Sequence, residues 1–240
     1  MSFHLKTAFK HLASSTIILG ALSSAPSFAQ TAGDFGYYAF AQTWLPEFCV
    51  QNPQKDSCKN LPTASTTAIK LTIHGLWPNY DEGGYPSYCS NSPGCSAGQK
   101  AKDCKIDINS STESQLNTYM PGGSGGFWQY EWEKHGTCSA LDQDTYFQEA
   151  LKLEKTLPTL ATIESPTTLK TLEQKYNSRA IFKCNNDDGV FYLSEVRTYW
   201  NKNTNNTVDS QKEAIPTGEK STCPSEGDIF LRSFPSNWLY

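Results

Sequence analysis

Eight cysteines, at positions 49, 58, 89, 95, 104, 138, 184 and 223, all lie beyond residue 29, and this even set constrains the chain more than any other feature. Residues 1 to 29 read as an export signal: Lys6 and Lys10, an apolar run near Ile17 to Leu22, then Ser27-Phe28-Ala29 with small residues at the ends of the tripeptide. The apolar run falls well short of the ~20 residues that cross a bilayer core, so no membrane association is expected. Behind such a signal, in an oxidising compartment, an even cysteine count reads as a disulfide framework. A metal site is the competing reading, but zinc sites use close cysteine pairs or paired histidines, and the nearest spacing here is Cys89 to Cys95. Local closure favours Cys49 with Cys58 and Cys184 with Cys223; for Cys89, Cys95, Cys104 and Cys138 the pairing stays open.

No repeat or linker divides residues 30 to 240, and the aromatic residues run from Phe35 to Tyr240, so a single domain is expected. The net charge of −4 falls to −6 once the signal is removed, leaving 18 basic against 24 acidic residues. That balance argues against a protein holding duplex DNA or an anionic membrane by a broad basic surface. It leaves room for an enzyme with a local cationic site.

Residues 68 to 74 alternate: Ile69, Leu71 and Ile73 lie on one face, and Lys70, Thr72 and His74 on the other, as in a half-buried strand that Gly75 and Pro78 are expected to stop. Residues 80 to 110 read as a disulfide-stapled loop. Ser110 and Glu113 resemble a capping box opening a short helix before Pro121, and 122 to 126 form a Gly-rich turn. Residues 145 to 157 have helical spacing, and Ser165-Pro166 is expected to open another helix carrying Leu169, Leu172 and Tyr176. Residues 180 to 184 and 189 to 200 read as further strands. Helices and strands mix without regular alternation, so the expected fold is α+β: one domain, a central antiparallel β-sheet flanked by helices, stabilised by disulfides.

After removal of the signal only His74 and His135 remain as histidines. His135 closes FWQYEWEKHGTC, residues 127 to 138, which reads as a helix through His135. At ~100° per residue Glu131, Lys134 and His135 share one face, with Trp128 and Trp132 on a neighbouring apolar arc. The plain alternative is a solvated row of charges contributing only tenths of a kcal/mol. Gly136 beside the charged face and Cys138 as a covalent tether favour a ligand site. His74 has a similar setting, followed by Gly75 and by Trp77, whose ring is either a stacking surface or a core side chain.

LTIHGLWP, residues 71 to 78, and FWQYEWEKHGTC resemble the two active-site segments of the ribonuclease T2 family, secreted enzymes that cleave RNA with little base preference. FAQTWLPEFC, residues 40 to 49, and QLNTYMP, residues 115 to 121, are similar to that family's first strand with its cysteine and to its helix before the active site. The likeness spans residues 34 to 240 and thins beyond about residue 157. It implies cofactor-free and metal-free cleavage of single-stranded RNA by a monomer, through a 2′,3′-cyclic phosphate, with DNA left uncut for want of the attacking hydroxyl. It further implies His135 as general base, His74 as general acid, and Lys134 and Glu131 against the phosphoryl oxygens. Trp77 would stack on the base 5′ of the cleaved bond, with Asn79 and Tyr85 as its walls, and Phe127 would serve the 3′ base. Many members carry histidine where this chain has Tyr130, though some periplasmic bacterial members share the tyrosine, so the phenol is expected to replace a cationic phosphate contact with a hydrogen bond. The resemblance and the signal together point to export, into a Gram-negative periplasm or beyond the cell. Two other functions compete: a catalytically silent RNA binder, suggested by Tyr130 and the acidity, and a disulfide-rich effector that contacts another protein.

Overall fold

The computed structural model describes residues 30–59, 71–89 and 106–234. The expected export signal, the first residues of the 68–74 strand, most of the cysteine-rich loop, and Cys95 and Cys104 lie outside the described residues. In chain order the elements are β1 (Tyr37–Trp44), α1 (Leu45–Gln51), α2 (Asp56–Lys59), β2 (Leu71–Asn79), α3 (Ser110–Tyr119), α4 (Phe127–Lys134), α5 (Gln143–Thr156), α6 (Leu169–Lys175), β3 (Ala180–Asp187), β4 (Val190–Lys202), β5 (Val208–Gln211) and β6 (Ile229–Phe230). Four antiparallel strands in the order β2-β1-β4-β3 make the sheet; β5 joins β4 antiparallel and β6 joins it parallel. The expected α+β domain with a central antiparallel sheet is therefore the observed one.

The two faces of the sheet differ in chemistry because side chains alternate along each strand. Tyr38 and Phe40 of β1, Ile73 and Leu76 of β2, Val196 of β4 and Phe182 of β3 enter the main core. Phe147, Ala150 and Leu151 of α5, Leu116 of α3, Leu172 of α6 and Trp128 of α4 complete it. Tyr37, Ala39, Ile181 and Tyr199 form a smaller cluster of their own, and the rest of that second face carries the polar groups of the site.

Three local expectations change. Asn109, not Ser110, caps α3, its side chain accepting from the Thr112 amide at 2.9 Å. Pro166 does not open α6; Thr168 caps it by accepting from Thr171 N, three residues after Ser165. In both cases a hydroxyl or amide side chain near the expected start, one residue before it at Asn109 and three after Ser165 at Thr168, reaches the unpaired amides of the first turn. Nor does β2 stop at Gly75: it runs through Pro78 to Asn79, because its pairing with β1 continues to Tyr37.

Cys49–Cys58 and Cys184–Cys223 pair as local closure suggests, and Cys89 pairs with Cys138. The last bond fastens the loop after β2 to the chain just beyond α4, and the Tyr88 amide donating to the Lys134 carbonyl at 3.0 Å reinforces it.

On the core side Gln42 Nε2 donates to Glu154 Oε2 at 2.9 Å. Burial raises the Glu154 pKa from 4.5 to about 8, and the Gln42 amide offsets this only in part. A carboxyl whose pKa is higher folded than unfolded favours the folded state fully below about 4.5, and that contribution is lost as pH rises to about 8. Glu154→Gln should therefore gain Tm over the parent protein as pH is raised from about 5 to about 8. A Tm difference that stays constant across that window would show Glu154 to be ionised throughout.

Candidate active site

His74 owes its position to an irregularity in the β1–β2 ladder. Ala41 pairs with Gly75 and Gln42 with Ile73, so His74 is an extra residue without a partner. A bulge of this kind re-aims the side chain and reverses the alternation beyond it. Leu71 and Ile73 before the bulge and Leu76 after it all reach the core. His74 and Trp77 both face the site, their rings 5.0 Å apart edge to face. Gly75 between them is required: a Cβ there would collide with Glu131 Oε2 and Trp77 Nε1. The glycine lets the glutamate lie against the strand backbone, where Trp77 Nε1 donates to Glu131 Oε2 at 2.8 Å.

Gly122 and Gly126, at φ of 109° and 83°, take left-handed conformations that suit glycine, and they bracket the turn leading into α4. Trp128 anchors the helix in the core and donates to the Met120 carbonyl at 2.6 Å. Glu131 and Lys134 lie on α4, whereas His135 caps it, its amide bonded to the Glu131 carbonyl at 2.9 Å. The tethered loop brings Tyr85 to 5.6 Å from the His135 ring, and Trp77 lies 5.3 Å from it on another side. His135 is buried, and its Nδ1 has no hydrogen-bond partner among the described residues.

The two imidazoles therefore adjoin one indole, in opposite electrostatic settings. His74 Nδ1 lies 2.7 Å from Glu195 Oε2, and its Nε2 lies 4.0 Å from Glu131 Oε1. Burial by itself would lower the His74 pKa, but the Glu195 hydrogen bond and the charges of Glu131 and Glu195 outweigh it and raise the value above 6.5. His135 has no carboxylate beside it. Burial first, then the Lys134 and His74 charges, lower its pKa to about 3. The two rings are thus shifted in opposite directions, His74 towards the protonated form and His135 towards the neutral one.

The carboxylates differ as well. Burial raises the Glu131 pKa against the opposing pull of His74, Trp77 and Lys134. Burial would raise Glu195 too, but His74 and Arg197 hold it below the usual range. Lys134 Nζ donates to the Tyr130 hydroxyl at 3.1 Å and stands over the Tyr85 ring at 5.7 Å. Burial would lower its pKa, but the Tyr130 hydrogen bond, with Tyr85 and Glu131, raises it.

His74, Trp77, Tyr85, Phe127, Glu131 and His135 thus come together, with Tyr130 and Lys134 adjoining. Phe127 lies 6.0 Å from the His74 ring. Tyr85 is about half exposed. Asn79 takes a different part: its buried amide donates to the Trp77 carbonyl at 2.7 Å and braces the strand end. Trp77 is not an open platform, since besides the two histidines it has the Arg197 guanidinium 5.2 Å from its ring.

Glu195 and Arg197 are the residues that sequence reasoning missed. They sit two apart on β4, so their side chains share a face, and Arg197 Nε contacts Glu195 Oε1 at 2.6 Å. An i,i+2 pair of opposite charges within a strand otherwise rich in Val, Tyr and Thr was the available signal. Its target, 121 residues away in sequence, was not visible. Among the described residues, no group of three or more His, Cys, Asp or Glu side chains is arranged to hold a metal ion, and no helix is long and apolar enough to cross a membrane.

A strand histidine and a helix-end histidine, their pKa values shifted in opposite directions, thus stand near one indole together with the buried Glu131 and the half-buried Glu195. Residues 35–213 match the Ribonuclease T2 family, and the chain belongs to that family. It is 40% identical over 156 residues to Ribonuclease 1 of Arabidopsis thaliana, covering 60% of this chain and 59% of that protein. It is 35% identical over 153 residues to the extracellular ribonuclease LE of Solanum lycopersicum, covering 62% and 63%. The matched region thus spans about three-fifths of those relatives. The fold is similar to the self-incompatibility-associated SF11-RNase of Nicotiana alata, with a TM-score of 0.61, 22% identity, and coverage of 83% of this chain and all of that one.

Titration followed by imidazole NMR should find His74 protonating above 6.5 and His135 remaining neutral down to about pH 3. Glu195→Gln should lower the His74 value and leave that of His135 nearly in place. Equal pKa values for the two rings would remove the asymmetry on which the site depends.

Proposed function

We propose that the protein is an exported endoribonuclease that cleaves single-stranded RNA with low base specificity and without a metal ion. The observation that carries this reading is that two histidine rings adjoin one indole, at 5.0 and 5.3 Å, the one hydrogen-bonded to a carboxylate and the other buried with an unpaired ring nitrogen. Internal cleavage of RNA needs one group to take a proton from the 2′-hydroxyl and another to give one to the departing oxygen, and each such group contributes about 10² to 10⁴ in rate. His135, neutral and with an unpaired ring nitrogen, suits the first task. His74, kept charged by Glu195, suits the second.

In the proposed step His135 removes the 2′-hydroxyl proton and the oxygen attacks phosphorus. The bond from phosphorus to the 5′-oxygen breaks, and that oxygen takes the His74 proton. The products are a 2′,3′-cyclic phosphate and a 5′-hydroxyl; slow hydrolysis with reversed roles gives a 3′-phosphate. Lys134 supplies fixed positive charge for the phosphoryl oxygens, and Glu131, its pKa raised by burial, can donate a hydrogen bond when protonated. Tyr85, open and beside His135, offers a face for the base 5′ of the cleaved bond; Phe127, beside His74, offers one for the base 3′ of it. Stacking of this kind tolerates any base. Trp77, adjoining both histidines, holds Glu131 by its indole N–H. DNA lacks the attacking hydroxyl and is left intact. Residues 1 to 29 read as the removable export signal, and the disulfides suit the oxidising compartment it leads to.

Digestion of dinucleoside phosphates, with product analysis, tests the reading. Cyclic-phosphate products should form in excess EDTA, and His135→Phe should lower kcat by about 10² to 10⁴. A requirement for divalent ions, or direct formation of 5′-phosphates, would exclude this mechanism. The kcat/KM profile should rise through about pH 3 as His135 loses its proton and fall only above 6.5 as His74 loses its own. A profile flat from about pH 3 to 9 would contradict the paired-histidine assignment.

A further inference from the structure

A groove of about 1320 Å³ opens from His74 across the second face of the sheet. Single small-molecule sites run to about 300–1,000 Å³, so this one exceeds the needs of one nucleotide. Its floor is set by strand register. Thr72 pairs with Thr43, Thr43 with Glu195, and Glu195 with Lys183, which places these four side chains in a row across β2, β1, β4 and β3. At ~4.8 Å per strand the row spans about 14 Å from the bulged histidine's strand to Lys183.

The charges along this row are unequal. Glu195 is neutralised by His74 on one side and Arg197 on the other. Lys183 forms no ion pair among the described residues; its ammonium donates to the Lys220 carbonyl at 2.9 Å, and two further N–H donors remain for a ligand. Burial, then the positive charges of Arg197 and Lys220, lower its pKa, while Glu219 and Glu195 only partly oppose them. Lys183 is thus a cation without a paired carboxylate among the described residues, in a chain whose net charge is −4. Amides of Asn185 and Asn186 line the same end.

We propose that this groove is an extended RNA subsite that holds the strand 3′ of the cleaved bond beyond the first leaving nucleotide, with a backbone phosphate on Lys183. The direction rests on the ribonuclease reading above. His74, the proton donor to the leaving oxygen in that reading, lines the groove, whereas His135 and Trp77, 5.3 Å apart, do not. The departing strand therefore leaves along the sheet floor past Phe127. The consequence is a preference for polymer over short fragments, decided at a contact remote from the chemistry.

The test compares kcat/KM for a dinucleoside phosphate with that for substrates carrying one or two more nucleotides on the 3′ side or the 5′ side. Extension on the 3′ side should raise kcat/KM more than extension on the 5′ side. Lys183→Ala should cut the 3′ gain about three- to tenfold, the range for one part-exposed contact to phosphate, and Lys183→Arg should keep most of it. The slope of log affinity against log salt for a long, uncleavable strand should lessen by about 0.7 in Lys183→Ala. As a measure independent of variant folding, a photoreactive base two positions 3′ of a 2′-deoxy scissile site should cross-link to residues 183–186 of the parent protein. Equal gains on both sides, an unchanged 3′ gain in Lys183→Ala, or cross-links confined elsewhere would overturn the subsite while leaving the ribonuclease reading intact. Failure to cut any of these RNAs would overturn both.

Discussion

The bulge at His74 is the constraint on which the site depends. A regular ladder would send Leu76 to the polar face and Trp77 into the core, since side chains alternate strictly in an unbroken strand. One extra residue keeps Leu71, Ile73 and Leu76 in the core while His74 and Trp77 face outwards together. The arrangement then needs Gly75, because the carboxylate of Glu131 and the indole of Trp77 occupy the space that a Cβ would take. Backbone irregularity, glycine and hydrogen bond form one unit in which each part requires the others.

Around that unit the fold gives the same side chain two opposite properties. His135 is enclosed by rings and by the positive charge of Lys134, so burial keeps it neutral. His74 is half-buried against Glu195, which in turn is held ionised by Arg197. The two rings thus differ in their tendency to hold a proton, and the indole that adjoins both bonds to Glu131. The same β4 strand that supports His74 through Glu195 continues the polar floor towards Lys183 on β3.

Much of this was legible from local patterns. The two histidine segments, the α+β arrangement and two disulfide pairs follow from motif, periodicity and short loop closure, all of which act over neighbouring residues. The differences were local too: the caps at Asn109 and Thr168 lie one residue before and three residues after the expected ones at Ser110 and Ser165, because an unpaired first-turn amide is served by the side chain that reaches it, whichever residue best fits a pattern. Gly75 and Pro78 looked like the end of a strand, yet pairing with β1 carries β2 through both. Tertiary hydrogen bonding there outweighs the local tendency to turn.

By itself the sequence determined which residue types could exchange protons, since imidazole is the side chain that titrates near neutrality and only two remain after the expected signal. It also determined the family, through motifs that are contiguous in the chain. Only the tertiary structure decided in which direction each histidine is shifted, that Glu195 and Arg197 adjoin His74 and Trp77, and that the Asn79 amide bonds to the Trp77 carbonyl. Each of those properties depends on a neighbour far away along the chain, and the strength of charge interactions falls with distance in space and depends on burial, neither of which is written in residue order.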